Sequence, residues 1–149
     1  MAPAAADAVF VDTNILIYHQ LVQSPWHGAA RQKLQDLQKA GHPLWISRQI
    51  IREYLAALSG PGVLAQPVAM TTLIGHVQSF QSQFLIAEDG PVVTGELLIL
   101  LASVSCGGKQ VHDANIVATM LAHNLSKLLT NNVADFTRFA SWITIVPLV

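Results

Sequence analysis

Two aspartates sit beyond short apolar runs that read as buried strands: Asp12 directly after Ala8-Val9-Phe10-Val11, and Asp135 a few residues after Lys127-Leu128-Leu129-Thr130. In an open α/β sheet, functional groups gather beyond the carboxyl ends of the strands, so these two acids are candidates for one location. Two further acids fall in helical segments, Glu53 inside the helix that follows Ser47 and Asp113 at the start of the helix that leads into the fourth strand. Carboxylates gathered closely repel one another and raise each other's pKa unless a cation neutralises them. Hard oxygen donors of this kind suit Mg2+, and Mn2+ accepts the same set. An ion so held polarises a phosphate oxygen and acidifies a bound water, so hydrolysis would need no serine or histidine nucleophile. The strand-end rule collects Asp12 and Asp135 and leaves Asp113 and Glu53 undetermined. Each acid also has an ordinary reading: Asp12 and Asp113 as helix N-caps, Glu53 as a solvated charge paired with Arg48 or Arg52, Asp135 as an Asx turn.

The elements that must position these residues follow from the hydrophobic pattern. Strands are predicted at Ala8–Val11, Leu44–Ile46, Phe84–Ala87, Lys127–Thr130 and Trp142–Val146. Helices are predicted over Ile15–Val22, Trp26–Lys39, from the N-cap Ser47 to Leu58, over Pro67–Gln83, Val92–Ser105 and His112–Asn124, with a helical turn within Asn131–Arg138. Gly41-His42-Pro43 should close the second helix, and Gly107-Gly108 the apolar one. Helices separate every pair of strands but the last, which predicts a mainly parallel five-stranded sheet between helical layers, a three-layer α/β/α domain.

Composition excludes several classes. At 149 residues the chain is long enough for one domain with a sizeable core. Charged residues are only 11% and hydrophobic ones 52%, which argues against disorder and predicts that part of the apolar surface lies under a partner or a second copy. The formal charge of −1 rules out a strongly basic scaffold. One cysteine, Cys106, cannot form an internal disulfide or a multi-thiolate site, and no HExxH or paired Cys/His spacing supports zinc. The opening MAPAAADAVFVDTN has no Lys or Arg ahead of its apolar run, which Asp12 interrupts, so the expected compartment is the cytoplasm. The most apolar stretch, Leu97–Val104, is far too short to span a bilayer.

Four segments in order, VFVDTNILIY, SRQIIREYLAAL, VHDANIVATMLAHNLSKLLT and TNNVADFTRF, closely resemble the PIN-domain ribonucleases, especially the VapC-type toxins of bacterial toxin–antitoxin pairs. The resemblance runs from about Val9 to Pro147. It implies a PIN-like fold and places the family's acidic site on Asp12 of DTN, Glu53 of REY, Asp113 of HDA and Asp135 of ADF, with Mg2+ or Mn2+ bound there for RNA hydrolysis. Thr130 and Asn132 fall where the family has polar site-lining residues. Asn132 stands where many relatives carry Asp, which leaves open whether Asn132 or Asp135 completes the site. The resemblance further implies a small VapB-type antitoxin as partner, and a homodimer.

On this reading Asp12 and Asp113 are direct ligands, and Glu53 and Asp135 act through water, hold a second ion or orient the attacking water. Thr13, Asn14, Thr130 and Asn132 would fix the carboxylate rotamers. With four acids in one pocket, eight Lys and Arg face the five remaining acids, leaving the other surface net positive by three. Arg48, Arg52, Lys109 and Arg138 are the candidates for RNA contact, with solvated surface charge as the default. His112 has a structural or solvent-facing reading beside a substrate-facing one. Gly107-Gly108-Lys109-Gln110 lacks the first glycine and the final Ser or Thr of a phosphate loop, and Asn124-Leu125-Ser126 matters as a glycosylation acceptor only outside the cytosol. Two other functions stay open at this point, a silent PIN-like RNA- or protein-binding module and a housekeeping RNA-processing nuclease.

Overall fold

A computed structural model describes residues 6–62 and 64–149; the first five residues of the N-terminal stretch weighed above lie outside them. Five strands, β1 (Val9–Val11), β2 (Leu44–Ser47), β3 (Leu85–Ala87), β4 (Lys127–Thr130) and β5 (Thr144–Pro147), form one sheet in the order β3-β2-β1-β4-β5. Every neighbouring pair is parallel. Val9, Phe10 and Val11 are all buried, as continuous apolar strands covered on both faces must be. Among the described residues seven α-helices complete the three-layer α/β/α architecture: α1 (Thr13–Gln20), α2 (His27–Lys39), α3 (Arg48–Ser59), α4 (Met70–Gln83), α5 (Pro91–Ser103), α6 (Gln110–Ala122) and the single turn α7 (Val133–Phe136), which a 3-10 turn (Thr137–Phe139) continues.

Local chemistry explains most boundaries. Ser47 caps α3 by accepting from the Ile50 amide. Gly41 ends α2 with φ +83, a left-handed conformation that glycine takes without a Cβ penalty, and the amides of Gly41 and His42 return to the carbonyls of Gln38 and Leu37. Several boundaries differ from the sequence reading, among them α1 at Thr13–Gln20 in place of Ile15–Val22 and β5 at Thr144–Pro147 in place of Trp142–Val146. The segment Pro67–Ala69 is not helical, because the Val68 amide is pinned to the Leu58 carbonyl and α4 starts at Met70. Helix α5 stops at Ser103, since Val104 is extended. The glycine pair therefore opens α6 and does not close α5: the carbonyls of Gly107 and Gly108 accept from the amides of Gln110 and Val111.

From β1 the chain winds outward through β2 to β3, then crosses back to lay β4 against the other side of β1. The carboxyl ends of β1 and β4 thus form the crevice where the winding reverses, the usual place for a site in such sheets. The Asp12 amide extends the β1–β4 pairing by donating to the Leu129 carbonyl at 3.0 Å. Among the described residues no helix is long and apolar enough to cross a membrane.

Candidate active site

Asp12 leaves β1 in extended conformation and is buried at 5% exposure. Its Oδ1 accepts from the Thr13 amide at 2.7 Å, which makes it the N-cap of α1. Its Oδ2 accepts from Thr130 Oγ1 at 2.8 Å and from Asn14 Nδ2 at 3.0 Å. The ordinary reading of Asp12 as a cap and the reading as a site residue are both true of it, because the second oxygen lies at the β1–β4 crevice. Thr130, fully buried at the end of β4, also accepts from the Asn132 amide. Asn14 Oδ1 takes the Asn131 amide, tying the loop after β4 to α1.

Glu53 is half-buried and paired with neither Arg48 nor Arg52. Its Oε2 accepts from Thr13 Oγ1 at 2.9 Å and its Oε1 from Gln49 Nε2 at 2.9 Å. Thr13 thereby joins the two carboxylates, with its amide on Asp12 and its hydroxyl on Glu53. Gln49 was missed by sequence reasoning. Buried at 6% exposure, it also donates to the His112 carbonyl at 2.8 Å and accepts from Asn115 Nδ2 at 2.8 Å. The available signal was its position one helical turn before Glu53, where i and i+4 side chains meet.

Asp113 is the fourth residue of α6 and caps nothing. Its distance from the sheet edge, undetermined in the sequence, is decided by topology. Helix α6 delivers the chain to the amino end of β4, so it must begin on the carboxyl side whether or not a strand precedes it. The Gln49–His112 contact joins that beginning to the start of α3. A cavity of about 250 Å3 results, lined by Asp12, Thr13, Asn14, Glu53, Asp113, Asn132 and the apolar Ile17, Ala57, Ile116 and Phe136. Asp135 is exposed on α7 and does not line this cavity, but it stands close enough to Asp113 to perturb it.

The electrostatics are those of an uncompensated cluster. Burial pushes the Asp12 carboxyl up to about 6, against the lowering effect of the Thr130 and Thr13 hydrogen bonds, and the charges of Glu53 and Asp113 raise it further. Asp113 also rises to about 6, through desolvation and the charges of Asp135 and Glu53, with Arg138 and His112 pulling the other way. Among the described residues the ion pairs are His42–Asp7 and Arg48–Glu88, and none involves the four acids. No three acid, His or Cys side chains among the described residues close round one point as a direct metal cage.

The candidate cations divide. Arg48 makes a two-pronged bond to Glu88 at 2.7 and 2.9 Å and is committed there. Arg138 donates to the Ser105 carbonyl and sits near Asp113. Lys109 is exposed beside the start of α6, and Arg52 is exposed beside Glu53. Asn132 is exposed and lines the acid cavity, with its amide on Thr130.

An acid cavity at the switch point of a five-stranded parallel sheet is what a PIN domain presents; the model of that family matches residues 9–141, and the chain belongs to it. Among curated proteins it is similar to Ribonuclease VapC24 of Mycobacterium tuberculosis, 27% identical over 132 residues that cover 87% of this chain and 89% of that one. The fold is shared with VapBC2 from Rickettsia felis bound to a promoter DNA fragment, at TM-score 0.68 and 19% identity over 94% of this chain and 98% of that one. A toxin–antitoxin complex from Klebsiella pneumoniae superposes at TM-score 0.65 and 23% identity over 95% and 98% of the two chains. Mycobacterium tuberculosis VapC20, described as a sarcin-ricin loop cleaving toxin, does so at TM-score 0.66 and 12% identity over 94% and 100%.

Proposed function

We propose that this chain is a divalent-metal-dependent endoribonuclease that hydrolyses RNA phosphodiester bonds as the toxin of a VapBC-type pair, working as a homodimer that a small VapB-type antitoxin covers. The observation that carries the reading is the junction of Asp12, Glu53 and Asp113 in one cavity, none of them held in an ion pair among the described residues. The similarity to Ribonuclease VapC24 and the shared fold of toxin–antitoxin complexes support the substrate class and the partner.

Mg2+, with Mn2+ able to replace it, would be held by Asp12 and Asp113 directly and by Glu53 and Asp135 through water. Bound there, the ion supplies Lewis acidity toward a phosphate oxygen and lowers the pKa of a coordinated water. The protein's own part is positional. Three donors fix the Asp12 rotamer, and Thr13 and Gln49 fix that of Glu53, as supporting residues do at other metal sites. With pKa values of about 6, Asp12 and Asp113 are ionised at pH 7 and above, the form a cation requires. Arg52, Lys109 and Arg138 would meet the RNA backbone.

The test is cleavage of RNA in Mg2+ by the wild type and by the Asp12→Asn and Asp113→Asn variants, with folding checked by circular dichroism. Loss of cleavage in both folded variants supports the proposal, and full activity in both refutes it. Mapping new RNA 5′ ends after induced expression of the wild type and Asp12→Asn separates a site-specific toxin from a general processing nuclease.

A further inference from the structure

A second cavity, about 300 Å3, adjoins the acid cavity and shares one wall with it, Glu53; its other lining residues are Gln49, Arg52, Ala56 and His112. Unlike the acid cavity, the second has a cation, Arg52, in its lining beside Glu53. Helices α3 and α6 both begin here, held together by Gln49 Nε2 on the His112 carbonyl, and the start of a helix carries partial positive charge. Arg52 and His112 are both exposed. Both Glu53 oxygens are engaged by Thr13 and Gln49, and among the described residues Arg52 has no carboxylate partner, whereas Arg48 is held by Glu88. The guanidinium is therefore free beside the acids.

Resting on the ribonuclease reading above, we infer that this second cavity binds one phosphate of the RNA backbone, the neighbour of the scissile one, through Arg52 and His112, with Gln49 as the positioning residue. A polynucleotide that presents one phosphate to a cavity of carboxylates brings its next negative charge within one nucleotide, and that charge needs a cation to offset repulsion from the acids. A guanidinium fork matches a phosphate in charge and geometry. The lining offers one methyl group and no Phe, Tyr or Trp ring on which a base would stack. Glu53, as the shared wall, sets the step from one phosphate to the next.

The experiment uses a fluorescent RNA oligonucleotide with a single mapped cleavage position, and the wild type, Arg52→Gln, His112→Gln and the double variant of the full chain. A parallel substrate series carries a neutral methylphosphonate in place of each flanking phosphate. Each single substitution should raise KM about tenfold with kcat little changed, as for an exposed charged hydrogen bond. Arg52→Gln should also flatten the slope of log KM against log salt by about 0.7. Neutralising one flanking phosphate, and only one, should raise the wild-type KM to the level of the variants and leave the double variant unaffected. Unchanged KM in both variants, a fall in kcat alone, or losses from variant and methylphosphonate that multiply independently would overturn the subsite. Fluorescence anisotropy with the same RNA in EDTA, where the metal needed for hydrolysis is withheld, runs the same cycle on binding. A wild type that binds the unmodified RNA and cuts nothing once Mg2+ is added overturns the ribonuclease reading alone, and one that neither binds nor cuts overturns both.

Discussion

Replacing Asp12 by Asn should make the metal-free protein more stable above pH 7 while abolishing its stabilisation by Mg2+. Asp12 is buried and its carboxyl is raised from 3.8 to about 6, a shift worth about 3 kcal/mol when the group is fully ionised. The offset is local. Asn keeps one acceptor oxygen for the Thr13 amide but turns an amide toward Asn14 Nδ2 and Thr130 Oγ1, forfeiting about 1–2 kcal/mol of hydrogen bonding. A net gain of about 1–2 kcal/mol remains, roughly 2–8 °C in Tm for a chain of this size. The sign follows from proton linkage. As pH rises from 4 to 6 the unfolded chain has already released the Asp12 proton while the native state holds it, so wild-type stability falls through that window and is level above it. The variant lacks that contribution and keeps the one from Asp113, whose shift has the same direction. Urea unfolding in EDTA across pH 4–8 reads the difference between the two curves, and added Mg2+ should then raise the wild-type curve alone, in proportion to RT ln(1 + [Mg2+]/Kd). A wild type at least as stable as the variant at pH 8 in EDTA, with no relative loss between pH 4 and 6, would refute the account of Asp12 as a strained, buried carboxylate.

Cleavage should decline steeply below about pH 6, where Asp12 and Asp113 take up protons, and a pH–rate profile flat from 5 to 8 would contradict this. Thr130→Val removes the 2.8 Å bond to Asp12 and the acceptor for the Asn132 amide at a fully buried position. It should destabilise the fold by about 1–3 kcal/mol and weaken metal binding about 10- to 100-fold, read by calorimetric titration. Gln49→Leu should lower kcat by a similar factor through loss of its bond to Glu53, with the secondary structure retained by circular dichroism. Helix α5 turns Leu100 inward and leaves Val92, Leu98 and Ile99 at least 60% exposed, so if that face joins two copies, Leu98→Asp with Ile99→Lys should shift sedimentation toward monomer.

Much of the fold was legible because its signals are local. Ala8 to Val11 is apolar throughout, as a doubly covered strand requires, Ser47 announces α3, and Gly41 ends α2. The misplaced boundaries have non-local causes: the start of α4 is decided by the Val68–Leu58 hydrogen bond, across a loop whose pairing no periodicity reveals. The site shows the same division. The strand-end rule reached Asp12 from the sequence, whereas Glu53 and Asp113 were gathered there only by the resemblance, and the reason α6 begins beside α3 is topological. Gln49 was hidden because an isolated glutamine on a helix gives no sign of burial; its three partners are Glu53 on α3 and the His112 carbonyl and Asn115 on α6. Asp135 falls between the two cases, since the strand-end rule named it but α7 leaves it exposed, outside the cavity and felt by Asp113 through space.

The most direct test of the central claim is electron paramagnetic resonance of Mn2+ titrated into the purified, folded chain at pH 7.5. Saturable binding by the wild type, lost in Asp12→Asn and in Asp113→Asn and competed away by Mg2+, is the predicted result. Free Mn2+ signal throughout the titration, or equal binding by all three proteins, would contradict it.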